Sequence, residues 1–96
     1  MINMLVTYTA KDSETRQAFY DEVVAAGCAE ATRAEEGNFR YEFFFSAEKD
    51  NVVLLVEKWA DEAVLKNHYD QPHLKKLVEI KEKHGVVTSI EKIVED

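Results

Sequence analysis

The chain has 96 residues, 46% hydrophobic and 32% charged, with a formal net charge of −7 at pH 7. That length gives one domain (1–96) with a modest core, at a size where self-association often supplies further stability, and the composition excludes disordered and collagen-like classes. The negative balance argues against nucleic acid, whose phosphates are held by clustered Lys and Arg, and no apolar run approaches the ~18–20 residues that cross a bilayer, so no membrane partner is expected either.

Met1 to Ala10 reads as a first strand, with Asn3, Leu5 and Thr7 on one face and Met4, Val6 and Tyr8 on the other. It has no basic leader or small-residue cleavage site, so it is not read as a signal peptide. Asp12-Ser13 supplies an N-cap for a helix expected to run to about Arg33, with Phe19, Tyr20, Val23 and Val24 at helical spacing. Gly27 inside it implies either a bend or a close backbone neighbour. Gly37 is expected to end that helix as its left-handed C-cap. The lone cysteine, Cys28, cannot form an internal disulfide, which fits a reducing compartment and a cytoplasmic location.

Phe39–Ser46 and Asn51–Trp59 then read as a hairpin around Ala47-Glu48-Lys49-Asp50. Asp61 caps a short helix through Tyr69, and Pro72, favoured at a first helical position, opens another that runs to Gly85. Val86–Val94 alternates as the last strand. The order β-α-β-β-α-α-β is the α+β, ferredoxin-like split βαβ arrangement, in which helices cover one sheet face only. Because the strands are apolar on both faces, the helix-free face is expected to be covered by a second copy, giving a homodimer.

The residues that could carry chemistry cluster after Phe39. Glu57 and Trp59 are one strand period apart and project to the same side. Val64, Leu65 and His68 share a helix face, which turns the imidazole toward whatever that helix packs on. These groups could line one small-molecule cavity. The same spacing also fits a core tryptophan, a Glu57 paired with Arg40 or with a helix N-terminus, and a satisfied buried histidine. His73, in the first turn of the Pro72 helix, could orient an oxygen-rich ligand or simply cap and pack. His84 complements a helix C-terminus. His68 and His73 stand five positions apart across a helix break, which is not an i, i+4 ligand pair, and no metal is expected. Nucleotide-binding, hydrolase and C-x-x-C signatures are missing.

Glu36-Gly37-Asn38-Phe39-Arg40-Tyr41-Glu42, Glu57-Lys58-Trp59 with Asp61-Glu62-Ala63, and His68-x-x-x-Pro72-His73 resemble the antibiotic biosynthesis monooxygenase family. These are small dimeric α+β barrel proteins that include quinol monooxygenases and isomerases of a phosphorylated autoinducer. The resemblance implies a homodimeric α/β barrel with a pocket between sheet and helices in each subunit. It also implies an oxygenase working without metal, flavin or haem, in which a phenol or quinol is deprotonated and its anion meets dioxygen. On that reading His68 is the base, Trp59, Tyr8 and Tyr41 are walls or donors, and Asn3 is an oxygen-orienting amide. Haem-degrading relatives carry an axial histidine where this chain has Val78, which argues against haem. An isomerase using Arg40, Lys66 and the Pro72 helix end to hold an anion, or a binding dimer without turnover, are the alternatives.

Overall fold

The computed structural model describes residues 1–95. Its first strand, β1 (Ile2–Thr9), alternates buried and half-buried residues without interruption. This alternation fixes which side faces the helices, since successive side chains point to opposite faces: Ile2, Met4, Val6 and Tyr8 go inward. The third strand, β3 (Val52–Trp59), follows the same rule and buries Val53, Leu55, Glu57 and Trp59. The strand between them in sequence space, β2 (Asn38–Phe45), and the last one, β4 (Val87–Val94), lie at the edges of an antiparallel sheet of order β2-β3-β1-β4. Tyr8 pairs with Val53 and Thr88, and Tyr41 with Glu57, so these positions share the helix-covered face.

The single first helix expected up to Arg33 is two helices, α1 (Ser13–Ala25) and α2 (Cys28–Arg33). Gly27 between them has φ 73° and nothing within 4 Å of where its Cβ would be. It is therefore a left-handed turn residue and not a point of close backbone approach. The chain order is thus β-α-α-β-β-α-α-β around the expected ferredoxin-like core. Gly37 is not the C-cap, because α2 already closes at Ala34; its φ of 85° serves the turn into β2, and a Cβ there would fall 2.7 Å from a Val64 methyl.

The second helical pair, α3 (Glu62–Tyr69) and α4 (Pro72–Lys83), begins as the sequence indicates. The Asp61 carboxylate accepts from the Val64 N–H at 3.0 Å, and Pro72 occupies the start of α4. The hydrophobic core runs from Ile2, Met4 and Val6 through Phe19, Val23, Leu55 and Trp59 to Leu65, Leu77 and Ile80. On the other face of the sheet Leu5, Leu54 and Val56 are half-buried and Phe44 is exposed, with no helix over them. No helix among the described residues is long and apolar enough to cross a membrane.

Candidate active site

A cavity of about 230 Å³ lies between the covered sheet face and the α3–α4 pair. The sheet contributes Met4, Val6 and Tyr8 from β1, Tyr41 from β2 and Glu57 from β3. The helices contribute His68, Tyr69, Leu74, Leu77, Val78 and Lys81, and Thr88 and Ile90 of β4 form the remaining side. Tyr69 and Ile90 are exposed, which places the mouth at the β4 edge.

His68 is 2% exposed and comes from the last turn of α3. Its Nδ1 lies 2.6 Å from Oε2 of Glu35, and the same oxygen lies 2.7 Å from Nε2 of His73. A carboxylate only accepts, so each imidazole nitrogen facing it carries the proton. That fixes the neutral His68 tautomer: Nδ1 is protonated and Nε2 has a free lone pair. Among the described residues no hydrogen bond holds Nε2, and the ring borders the cavity. Trp59, fully buried, supports the ring from behind with centroids 4.7 Å apart. Burial lowers the His68 pKa, an effect partly offset by the Glu35 hydrogen bond and charge. Burial thus favours the neutral form of the ring, the form that has a lone pair at Nε2.

Glu35 was not singled out from the sequence, where Glu35-Glu36-Gly37-Asn38 reads only as a helix end. The fold fixes its backbone firmly. Its N–H donates to the Thr32 carbonyl at 3.0 Å and its carbonyl accepts from the Asn38 N–H at 3.2 Å. Nearby, Arg33 Nε donates to the Tyr41 carbonyl at 2.8 Å, fastening the end of α2 to β2. The Glu35 side chain is 9% exposed and its Oε1 is buried without a hydrogen-bond partner among the described residues.

Glu57 and Trp59 do share a side, as their spacing indicates: Trp59 Nε1 donates to Glu57 Oε1 at 2.8 Å. Arg40 is not the partner of Glu57; it pairs with Glu42 at 3.1 Å on the surface. Burial pushes the Glu57 carboxyl up to about 7, helped by the Glu35 charge and opposed by the Trp59 hydrogen bond. The cavity thus holds a carboxyl that is substantially protonated at neutral pH. Burial raises the Tyr8 and Tyr41 hydroxyls, with Glu57 adding to both, so they remain protonated walls and donors.

Of the other sequence candidates, His73 joins the cluster through Glu35 and does not line the cavity. Trp59 stands behind His68 and Glu57 and is not itself a wall. Asn3 is elsewhere: β1 parity puts it on the helix-free face opposite Tyr8, where its amide donates to Glu95 at 2.8 Å. His84 meets Glu22 at 3.1 Å on the far end of α4. Lys81 and Thr88 line the cavity without being marked by any sequence pattern, and Thr88 Oγ1 is buried without a partner among the described residues.

The family profile described as "Antibiotic biosynthesis monooxygenase" matches residues 1–80. The chain is 35% identical over 75 residues to "Putative monooxygenase YcnE" of Bacillus subtilis (strain 168), covering 78% of this chain and 77% of the relative. Among solved structures it is similar to a "putative antibiotic biosynthesis monooxygenase" from Deinococcus radiodurans, with TM-score 0.87, 20% identity and coverage of 100% of this chain and 93% of that one. The fold is also shared with SnoaB, a cofactor-independent oxygenase from Streptomyces nogalater, at TM-score 0.72 and 12% identity, with coverage of 99% and 92%. With a profile match over most of its length and a relative at this identity, the chain belongs to the antibiotic biosynthesis monooxygenase family.

Proposed function

We propose that the protein is a cofactor-independent monooxygenase acting on a small phenol or quinol, with His68 as the base. The observation that carries this reading is a cavity of mostly apolar and aromatic walls bordered by an imidazole whose one free nitrogen has a lone pair and whose other nitrogen is held by Glu35. A flat aromatic ring fits such walls, and its hydroxyl finds an acceptor in His68 Nε2. The low polarity of the site strengthens that contact relative to water.

The substrate hydroxyl gives its proton to His68 Nε2, and the resulting imidazolium is stabilised by the Glu35 carboxylate on its far side. The electron-rich anion then reacts with dioxygen at a ring carbon. For a phenol going to a quinone, one oxygen atom enters the ring and the other leaves as water, and the substrate supplies all four electrons. Glu57, when protonated, and the Tyr8 and Tyr41 hydroxyls are donors for oxygen atoms that acquire charge. Tyr41 comes from β2, so both edges of the covered sheet face contribute to the site.

The lining favours this class over a phosphorylated carbohydrate. Lys81 is the one cationic side chain among the lining residues. Arg40 is committed to Glu42, and Lys66 is not among the lining residues. A dianion needs more positive charge than this cavity presents. The working form in this proposal is a homodimer joined through the helix-free face carrying Leu5, Phe44, Leu54 and Val56. Oxygen consumption measured with a panel of phenols and quinols, wild type against His68→Ala, tests the reading. Uptake that depends on His68 supports it, and no uptake with any member of the panel counts against it.

A further inference from the structure

Glu35, His68 and His73 reach one point from three separate segments: the turn after α2, the last turn of α3 and the first turn of α4. One ligand-type atom from each lies within 4.8 Å of the others. Atoms bonded at ~2.0–2.2 Å to a shared ion sit roughly 3.3–3.5 Å apart at tetrahedral angles, so only small side-chain adjustments separate this cluster from a coordination sphere. A second observation points the same way. Glu35 Oε1 is buried with no hydrogen-bond partner among the described residues, and an orphaned carboxylate oxygen in such a place is costly unless something else takes its lone pairs. Two imidazoles with one carboxylate suit borderline divalent transition metals and not Mg²⁺ or Ca²⁺, which take oxygen-rich shells. His73 is 16% exposed, which leaves an approach from solvent and an open position for water.

We propose that Glu35, His68 and His73 form a site for one zinc-class divalent ion, and that occupation of this site switches off His68 as the cavity base. The ion takes the lone pairs of His68 Nδ1 and His73 Nε2 and a Glu35 oxygen. The proton on His68 Nδ1 then moves to Nε2, and the proton on His73 Nε2 moves to Nδ1, through solvent and without net release. With Nε2 protonated, the cavity faces an N–H donor where it had an acceptor. The ion is thus an inhibitor held behind the base, outside the reaction itself. The ion site stands apart from the oxygenase reading; only its effect on turnover rests on that reading.

The test is titration of the metal-stripped full chain with Zn(II) by calorimetry and with Co(II) by visible absorption, using wild type, Glu35→Gln, His73→Gln and His84→Ala. The expected result is one equivalent bound, with affinity reduced at least ~10-fold in Glu35→Gln and His73→Gln and unchanged in His84→Ala. Circular dichroism confirms that each variant is folded. The ¹⁵N resonances of the His68 ring should report Nδ1–H without metal and Nε2–H with Zn(II), a readout independent of any substrate. Absence of binding, binding undiminished in both cluster variants, or binding lost in His84→Ala overturns the site. Binding with an unchanged His68 tautomer overturns the switch. Where a substrate has been found, Zn(II) should suppress its turnover and a chelator restore it. Metal-insensitive turnover likewise sinks the switch, whereas a chain without turnover on any substrate bears on the oxygenase reading and leaves the ion site standing.

Discussion

Nδ1 of His68 lies 2.6 Å from Oε2 of Glu35, a contact between residues 33 positions apart. The carboxylate sits on the side of the ring away from Nε2, so in the proposed reaction it would govern tautomer and orientation without touching a ligand in the cavity. On the oxygenase proposal Glu35 is a positioning residue, and its effect should be separable from that of His68 as base. His68→Ala should lower turnover by roughly 10²-fold or more, the usual scale of acid–base assistance. Glu35→Gln should lower kcat by about 10-fold with little change in KM, because the cavity wall is unaltered while the ring loses its fixed tautomer. Steady-state kinetics on any accepted substrate check both, and equal effects on kcat from Glu35→Gln and a distant surface variant would remove the assignment.

Glu57 links stability to pH. Its carboxyl titrates at about 7 in the folded chain against an ordinary value of 4.5, so between these values the folded state holds a proton that the unfolded state has lost. Stability therefore falls as pH rises from about 4.5 to about 7 and levels off above that, with a contribution on the order of 3 kcal/mol. Glu57→Gln keeps an acceptor for the Trp59 N–H and removes the titration. Denaturant unfolding at pH 5 and pH 8 should show the variant gaining on wild type at the higher pH. An equal difference at the two values would contradict the buried-carboxyl account.

Gly37 is the glycine that the packing requires. An added Cβ would meet Val64 methyls at 2.7 and 2.9 Å while forcing a side chain onto a backbone with φ of 85°. Gly37→Ala should destabilise by about 2–4 kcal/mol, combining overpacking with backbone strain. Val64→Ala in the same chain should recover the packing part and leave the strain. Thermal or urea unfolding of the single and double variants separates the two.

The helix-free face predicts an assembly defect on demand. Leu54 is half-buried in the single chain and flanked across the sheet by Phe44 and Thr7. Leu54→Asp should convert a dimer to monomer in sedimentation velocity at micromolar concentration and lower the midpoint of thermal unfolding, since a small domain has little stability in reserve. Wild type sedimenting as a monomer would end the dimer proposal.

What the sequence made legible was whatever depends on local pattern. Alternation in β1 and β3, the Asp61 cap and the Pro72 start all carry their signal within a few residues, and each element lies within one or two residues of its expected bounds. The break at Gly27 was less legible, because helical spacing continues across it from Val23 and Val24 to Ala31. The family resemblance puts Asn3 at the site, whereas its own strand parity sets it on the face opposite Tyr8. Glu35 was invisible for a different reason. Its role comes from a side chain meeting two imidazoles brought round by β2, β3 and a helix corner, and no spacing in the chain encodes that meeting. The one available hint was an acid in a tight turn whose backbone the fold was going to immobilise.

The strand that closes the cavity is also an edge strand. β4 pairs with β1 on one side only, and Val87, Ile90, Ile93 and Val94 are all exposed along it. Such an edge offers unpaired backbone groups and aliphatic side chains to any extended segment that approaches, and charged residues are what keep copies apart. Here Glu91 and Lys92 interrupt the aliphatic series, and the net charge of −7 provides general repulsion. Acidification removes that repulsion as the carboxylates neutralise. Self-association through β4 is therefore expected to set in as the pH approaches the sequence pI of about 4.9, on the side of the molecule where the cavity opens.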